Sequence, residues 1–458
     1  MPFDPTLAAI RFGTGLSPRV APPQGIAEIM ERLRGPDQAA REWPIAAYGS
    51  ILPQVTDYFT TQFASNHGTA AERAAADERL EGMRQQKRAA TKADFRATLA
   101  RMATSSDGLR ERLALFWADH FTVVGKNNDN DWAPYVSSYV EDAIRPHVAG
   151  RFRDMLVAVT THPMMLHYLD QDRSMGPESV AGRERGKGLN ENLARELLEL
   201  HTLGVGGPYG QDDVRELAKL LTGLTLDRGA MAFRPRWVEP GPKTVLGRVY
   251  PESEGLESVE AVLGDLAGHP ITAEHIARKL AVHFVADEPD ADLVSALRTA
   301  FLDTGGDLAA VTEALVSHPA AWTPERRKVR QPVEFLAASL RALGVSGAWI
   351  AGRARKETDD LFLEPMAEMG QPWQQAGGPN GWPEEAEAWV TPQGVAARIN
   401  WAMTRPERLV AELPDPRVFV ETALGPNVSE AVATAAHAAE RPDEGIGLVL
   451  ASAEFQRR

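Results

Sequence analysis

Between Leu256 and Val345 five stretches of helical periodicity follow one another with little between them. They are "LESVEAVLGDLAGHP", "TAEHIARKLAVHFV", "DADLVSALRTAFLDTGG", "DLAAVTEALVSHPAAW" and "QPVEFLAASLRALGV". Each sets apolar residues three and four apart, and glycine or proline punctuates most of their ends. As quoted they run 14–17 residues, an ordinary length for a bundle helix. The same pattern fills "PQGIAEIMERLR", the mixed-charge run Ala70 to Met102, and the tail from Val395 onward. Residues 230–252 break it. There "MAFRPRWV" and "KTVLGRVY", joined through "EPGP", read as extended chain. The expected fold is therefore mainly α: a multi-helix globular protein with one small β-hairpin or flap. One helical domain is expected over residues 1–458, with sub-units at 1–229, 230–252 and 253–458. Three segments end in His-Pro, at His162, His269 and His318, which reads as a recurrent way of ending a helix.

Charge and composition narrow the chemistry. With 49 basic and 63 acidic side chains the net charge is −14, which argues against a nucleic-acid partner. The densest basic run, Arg326-Arg327-Lys328-Val329-Arg330, reads as surface at a helix start. There is no cysteine, so disulfides, thiolate metal sites and cysteine nucleophiles are excluded. No run of about 18 apolar residues occurs, so no membrane span is expected. The N-terminus lacks the basic and apolar regions of a signal peptide, and the expected location is the cytoplasm. "NNDND", Asn127 to Asp131, alternates oxygen ligands like a calcium loop. Trp132 and Ser138, however, stand where that loop needs Gly and Glu.

The stretch "GLNENLARELLELHTLGVGG", Gly188 to Gly207, concentrates polar residue types. Asn190 suits an N-cap, a helix is expected from Glu191 to Leu203, and Gly204 suits the left-handed residue that follows. Glu191, Asn192, Arg195, Glu196, Glu199 and Thr202 fall on one side, and the leucines with His201 on the other. Facing solvent, the polar side is an ion-pair ladder, Glu191 to Arg195 and Arg195 to Glu199. Facing a cleft, Glu196 and Glu199 become close carboxylates tuned by Arg195, the pattern of acid–base catalysis. Glu199 and His201 point to different sides, so no metal is expected. Two further places attract attention. "WADHF" sets Asp119 and His120 beside aromatics. Residues 370–392, rich in Pro, Gly and Trp, form a long loop in which Asn380 and Trp382 suit a sugar or another flat ligand.

Taken in order, "RFGTGLSP", "FWADHFTV", "IRPHVAGRFRDMLVAVTTHPMMLHYLD", "NENLARELLELHTLGV", "DVRELAKLLTG", "GPKTVLG", "RQPVEFLAASLRALG" and "GPNGWP" resemble the bacterial family catalogued as domain of unknown function 1800. The resemblance covers nearly the whole chain. It implies a largely helical fold and no established activity. It marks Asn190, Glu191, Asn192, Arg195, Glu196, Glu199, His201 and Thr202 as the signature. It also implies a sulfatase- or phosphatase-like protein encoded nearby as a working partner. The family commonly carries Asn where this chain has Asp119, and many members begin with a secretion signal. Two functions are expected from different classes. The first is an acid–base hydrolase of a polymer or glycoconjugate. In it Glu196, Glu199, His120, His201 and Arg195 are catalytic, Asn190, Asn192, Asn380 and Trp382 hold substrate, and the cofactor is unknown. The second is a non-catalytic binding or assembly protein whose signature helix is a buried polar network and whose Ala70–Met102 helices dock a partner.

Overall fold

The structure, a computed structural model, describes residues 3–125, 131–186 and 188–458. Most of the "NNDND" stretch lies outside the described residues. Helices carry the architecture, and the strands among the described residues make two separate two-stranded antiparallel sheets. No helix among the described residues is long and apolar enough to cross a membrane.

The flap is two hairpins rather than one. Strand β1 (Leu224–Asp227) pairs with β2 (Ala230–Phe233), and β3 (Lys243–Val245) with β4 (Arg248–Tyr250). Each turns on two residues of positive φ, Arg228 (48°) with Gly229 (84°) and Leu246 (49°) with Gly247 (75°). That is the geometry whose twist matches paired strands. The glycines were visible in the sequence. Arg and Leu, in place of the usual Asn or Asp, hid the turns.

The helix Ala70–Thr104 opens on a capping box between Thr69 and Glu72. Its first two-thirds are largely exposed and lie along Tyr48–His67. Its last turns bury Phe95, Leu99, Ala100 and Met102. Those residues belong to a second apolar core with Phe335, Leu336, Trp401, Phe419 and Leu450. The larger core runs from Leu7 to Trp322 and includes Phe116, Trp117, Leu193, Leu197 and Phe284, together with Val245 and Tyr250 of the hairpins. The apolar interior therefore divides near residues 323–332, not at the hairpins.

Charge joins the two cores. Glu334 stands in the first turn of the helix Pro332–Ala342, where the helix dipole favours an anion. Its two oxygens meet Arg112 Nε at 3.1 Å and Arg458 Nε at 3.0 Å, with all three side chains buried. Burial alone would raise the Glu334 carboxyl, but Arg112 and Arg458 hold it down at about 2. A second link crosses the same junction, from Arg101 to both oxygens of Glu141 at 2.5 and 3.1 Å. The basic run Arg326 to Arg330 is surface only in its first half, where Arg327 is exposed and Arg326 half-buried. Val329 bridges Arg457, the Arg330 N–H donates to the Gln456 carbonyl at 2.8 Å, and the Lys328 and Arg330 side chains are buried. Their charges face inward because buried acceptors await them. Lys328 reaches Asp287 and the Glu384 carbonyl, and Arg330 Nε donates to the Phe455 carbonyl at 2.9 Å.

The His-Pro pairs begin helices instead of ending them. His162, His269 and His318 are each an N-cap with proline following. Their Nδ1 atoms accept from the backbone N–H of Met164 (3.1 Å), Ile271 (3.2 Å) and Ala320 (3.3 Å). An imidazolium has no lone pair at Nδ1 and places positive charge at the wrong end of the helix.

Two stability predictions follow from this framework. His269→Asp keeps the cap and adds a favourable charge, so it should stabilise by about 0.5–1 kcal/mol at pH 8. The melting temperature at that pH checks this, and a loss would refute it. Glu334→Gln leaves two buried guanidiniums without their counter-charge and should cost roughly 3–5 kcal/mol in urea denaturation at pH 7. Because the native carboxyl is held low, the wild-type advantage should be full above the ordinary carboxylate range. It should then fade as pH falls towards 2. A loss under about 1 kcal/mol would show that the ion cluster does not hold the cores together.

Candidate active site

Two helices set opposing polar stripes. Gly108–His120, capped by Asp107, presents Arg112, Phe116, Asp119 and His120. Pro270–Phe284 presents His275, Lys279 and His283 at steps of four. Arg112 Nη2 lies 2.8 Å from His283 Nε2, and His120 and His275 have ring centroids 6.1 Å apart. A guanidinium only donates, so His283 Nε2 accepts and its proton sits on Nδ1, 2.6 Å from Glu384 Oε1. Burial drives the His283 imidazole down to about 4, against the pull of Glu384. Burial also works to raise Glu384, but His283, Lys328 and Arg458 hold its carboxyl well below the usual range. At neutral pH the pair is a neutral imidazole donating to a carboxylate.

The signature stretch supplies the far end of this seam. Its helix is α over Asn192–Glu196 and widens to a π-helix over Leu197–Thr202. Its N-cap is Glu191, not the expected Asn190, and makes no side-chain cap bond; Asn190, one residue earlier, accepts at Oδ1 from the Asn192 N–H at 2.8 Å, and Gly204 takes the left-handed conformation (φ 83°). The wide turn changes the expected faces. Leu203 N–H donates to the Leu198 carbonyl at 3.0 Å and Thr202 Oγ1 to the Leu197 carbonyl at 2.5 Å, so His201 and Thr202 are both buried. Such π-turns recur at functional sites. Helix-end carbonyls lack internal partners. Here that of Leu200 accepts from His275 Nε2 at 3.0 Å and that of His201 from His120 Nε2 at 3.2 Å. Burial keeps all three imidazoles neutral, with His201 near 3, His275 near 4 and His120 well below its ordinary value. Nδ1 of His120 and of His201 are buried without a partner. Among the described residues no group of three or more His, Asp or Glu side chains is arranged to hold a metal ion.

A cleft of about 120 Å³ opens between the two cores. Asp119, His283, Glu384, Trp382, Trp373 and Phe116 line it, with Gln331, Gln371, Gln374 and Ser137. The Trp-rich loop seats itself on Asp119. The Trp382 N–H donates to Asp119 Oδ1 at 2.8 Å. A Cβ at Gly381 (φ 75°) would stand 2.6 Å from that oxygen, so only glycine fits there. Burial pushes the Asp119 carboxyl up to about 7, Trp382 works the other way, and Glu384 adds to the rise. Lys279 lies in the seam between these carboxyls and the histidines; burial lowers it, against Asp119 and Glu384.

The expected site residues therefore part company. His120 and His201 come together, with ring centroids 6.1 Å apart, and Trp382 lines the cleft. Arg195, Glu196 and Glu199 do not line it. They are partly exposed on the outer face of the signature helix, where Arg195 meets Glu191 at 3.2 Å and Gln211 at 3.1 Å; Glu199 is not its partner. Burial and Glu199 raise the Glu196 carboxyl, and Arg195 offsets them. Asn192 and Asn380 are exposed, and the Asn190 side chain accepts from the Asn192 N–H ahead of the helix. Sequence reasoning missed Glu384, His283, Lys279 and Arg112. The one available signal was Glu384, two residues beyond Trp382 in the loop already marked.

Asp119→Asn should keep the Trp382 contact and remove a carboxyl that is costly to ionise. At pH 8 it should stabilise the fold by roughly 2–4 kcal/mol relative to wild type. The difference should shrink by pH 5 and vanish only below the ordinary carboxylate range, where the unfolded chain is protonated as well. Chemical denaturation at both pH values measures it, and equal stabilities at pH 8 would mean that Asp119 is an ordinary carboxylate.

Comparison with known proteins places the chain. No curated protein and no solved structure matches it. A family model does, over residues 11–457, and its description is a protein of unknown function. On that match, which spans nearly the whole chain, the protein belongs to the DUF1800 family.

Proposed function

We propose that the chain is an acid–base hydrolase of a polymer or glycoconjugate, working in the cleft between the two cores. One observation carries the proposal: among the carboxyl groups that line that cleft, Asp119 and Glu384 stand in opposite protonation states. Asp119 is poised near neutrality and Glu384 is held ionised. Paired carboxyls with separated pKa values are the means by which one site supplies both an acid and a base at neutral pH. On this reading Asp119 gives its proton to the leaving oxygen and Glu384 draws the proton from an attacking water. Trp382 and Trp373 supply flat apolar walls, and Gln331 and Gln374 supply amide contacts, a lining that suits a sugar ring. His120 and His201 hold the end of the signature helix and transfer no proton. The resemblance gives Asn at position 119, so the reading is made for this chain and not for the family.

A second reading rests on the exposed helix pair. Phe63, 64% exposed, stacks on His67 at 4.3 Å on the outer face of Tyr48–His67. That face would dock the sulfatase- or phosphatase-like partner, and Phe63→Asp would abolish their co-purification.

The hydrolase reading is tested with a panel of 4-nitrophenyl glycosides. Turnover should show a basic limb near pH 7, and Asp119→Asn should lose about 10²–10⁴-fold in rate and lose that limb. Folded Asp119→Asn and Glu384→Gln proteins that retain the full rate would overturn it.

A further inference from the structure

The cleft is small for what it is asked to admit. Its volume is about 120 Å³, and a pocket for even a drug-sized molecule measures about 300–1,000 Å³. On the hydrolase reading, on which this inference rests, one wall has to move before a polymer segment reaches Asp119 and Glu384.

Most of the walls are fixed by buried charge. Arg101 is held by both oxygens of Glu141 and by the Trp43 carbonyl, and Arg145 by Glu111 and Asp37. Glu334 holds Arg112 and Arg458. The wall formed by residues 374–381 is different, although the chain is anchored on either side of it. Before it, Gln371 accepts from the Val333 N–H at 3.0 Å and donates to Gln331 at 2.7 Å, and Trp373 packs on Phe95 with ring centroids 5.1 Å apart. After it, the Trp382 N–H holds Asp119 and Glu384 meets His283. In between, Gln374 and Ala376 line the cleft, while Gln375, Gly377 and Asn380 are exposed.

Among the described residues a single hydrogen bond joins residues 374–380 to the first core, from Gln374 Nε2 to Ser137 Oγ at 3.0 Å. Ser137 stands on the opposite wall, in the helix Val136–Tyr139. Both groups are neutral, and such bonds are weaker than the charge-assisted ones that fix the other walls. Gln374 has a φ of 54°, a left-handed conformation that a residue with a side chain holds at a cost. Opening releases that strain. Nothing lies within 4 Å of where a Cβ on Gly377 would stand, so the backbone there has room to turn.

We propose that residues 374–381 form a lid over the cleft, latched by Gln374 to Ser137. When the latch breaks, the lid swings outward between its anchors at Trp373 and Trp382 and admits a polymer segment. When it closes, it keeps bulk water from Asp119 and Glu384.

The chain has no cysteine, so one introduced thiol reports the opening. Ala114→Cys places it on the cleft wall, at a position 6% exposed, and Thr122→Cys on the same wall replaces it where the first variant does not fold. Ser339→Cys is the control, fully buried in the helix Pro332–Ala342 and away from the cleft. At neutral pH the cleft thiol should react with fluorescein maleimide more slowly than a free thiol and faster than the control. Ser137→Ala removes the acceptor of the latch. It should speed the cleft thiol about 5-fold, the worth of one neutral hydrogen bond, and leave the control unchanged. The lid is overturned if Ser137→Ala leaves the cleft thiol unchanged or speeds both thiols alike. It is also overturned if the cleft thiol of the latched chain reacts like a free one, or no faster than the control. The readout uses no substrate, so it separates failure of the lid from failure of the hydrolase reading, which the glycoside panel decides.

Discussion

Everything around the cleft depends on one buried anion. Glu334 holds Arg112 and Arg458 at the meeting of the two apolar cores. Arg112, so placed, donates to His283 and decides which nitrogen of that ring carries the proton. The ring then donates to Glu384 and keeps it charged. Protonation states are thus passed from the junction to the cleft wall one contact at a time. Asp119, bound by a single backbone N–H, is left to titrate in the middle of partners whose charges are already fixed.

The helical fold was legible because its signal is repeated many times and depends on apolar spacing alone. Features that depend on one residue were not. The π-turn at Leu197–Thr202 adds a residue to one turn, and no periodic pattern announces it, yet it moves Thr202 from the polar side to the interior. The hairpins turn on Arg228 and Leu246, which tolerate positive φ only because the paired strands impose it. The run Arg326 to Arg330 looked like surface because cations usually are. Its buried acceptors come from residues far along the chain, and sequence distance conceals them.

The candidate site was legible in part for the same reason. Composition alone marked the loop carrying Trp382, and the residue pair Asp119–His120 stood out beside aromatics. The helix carrying His275, Lys279 and His283 repeats polar residues every fourth position, which is also how a solvated face looks. Only its packing against Gly108–His120 shows that the stripe is internal. The signature stretch misled in the opposite direction. Its carboxylates, prominent in the sequence, lie outward, and its contribution to the seam is two backbone carbonyls that no sequence motif displays.

The long helix Ala70–Thr104 has a mechanical meaning. At 35 residues it is a rod of about 52 Å, its first two-thirds largely exposed beside Tyr48–His67 and its last turns in the second core. Thr98, Arg101 and Met102, near its inner end, are part of the cleft wall. The rod thus runs from the outer surface of the molecule, where it lies along Tyr48–His67, to the wall of the cleft.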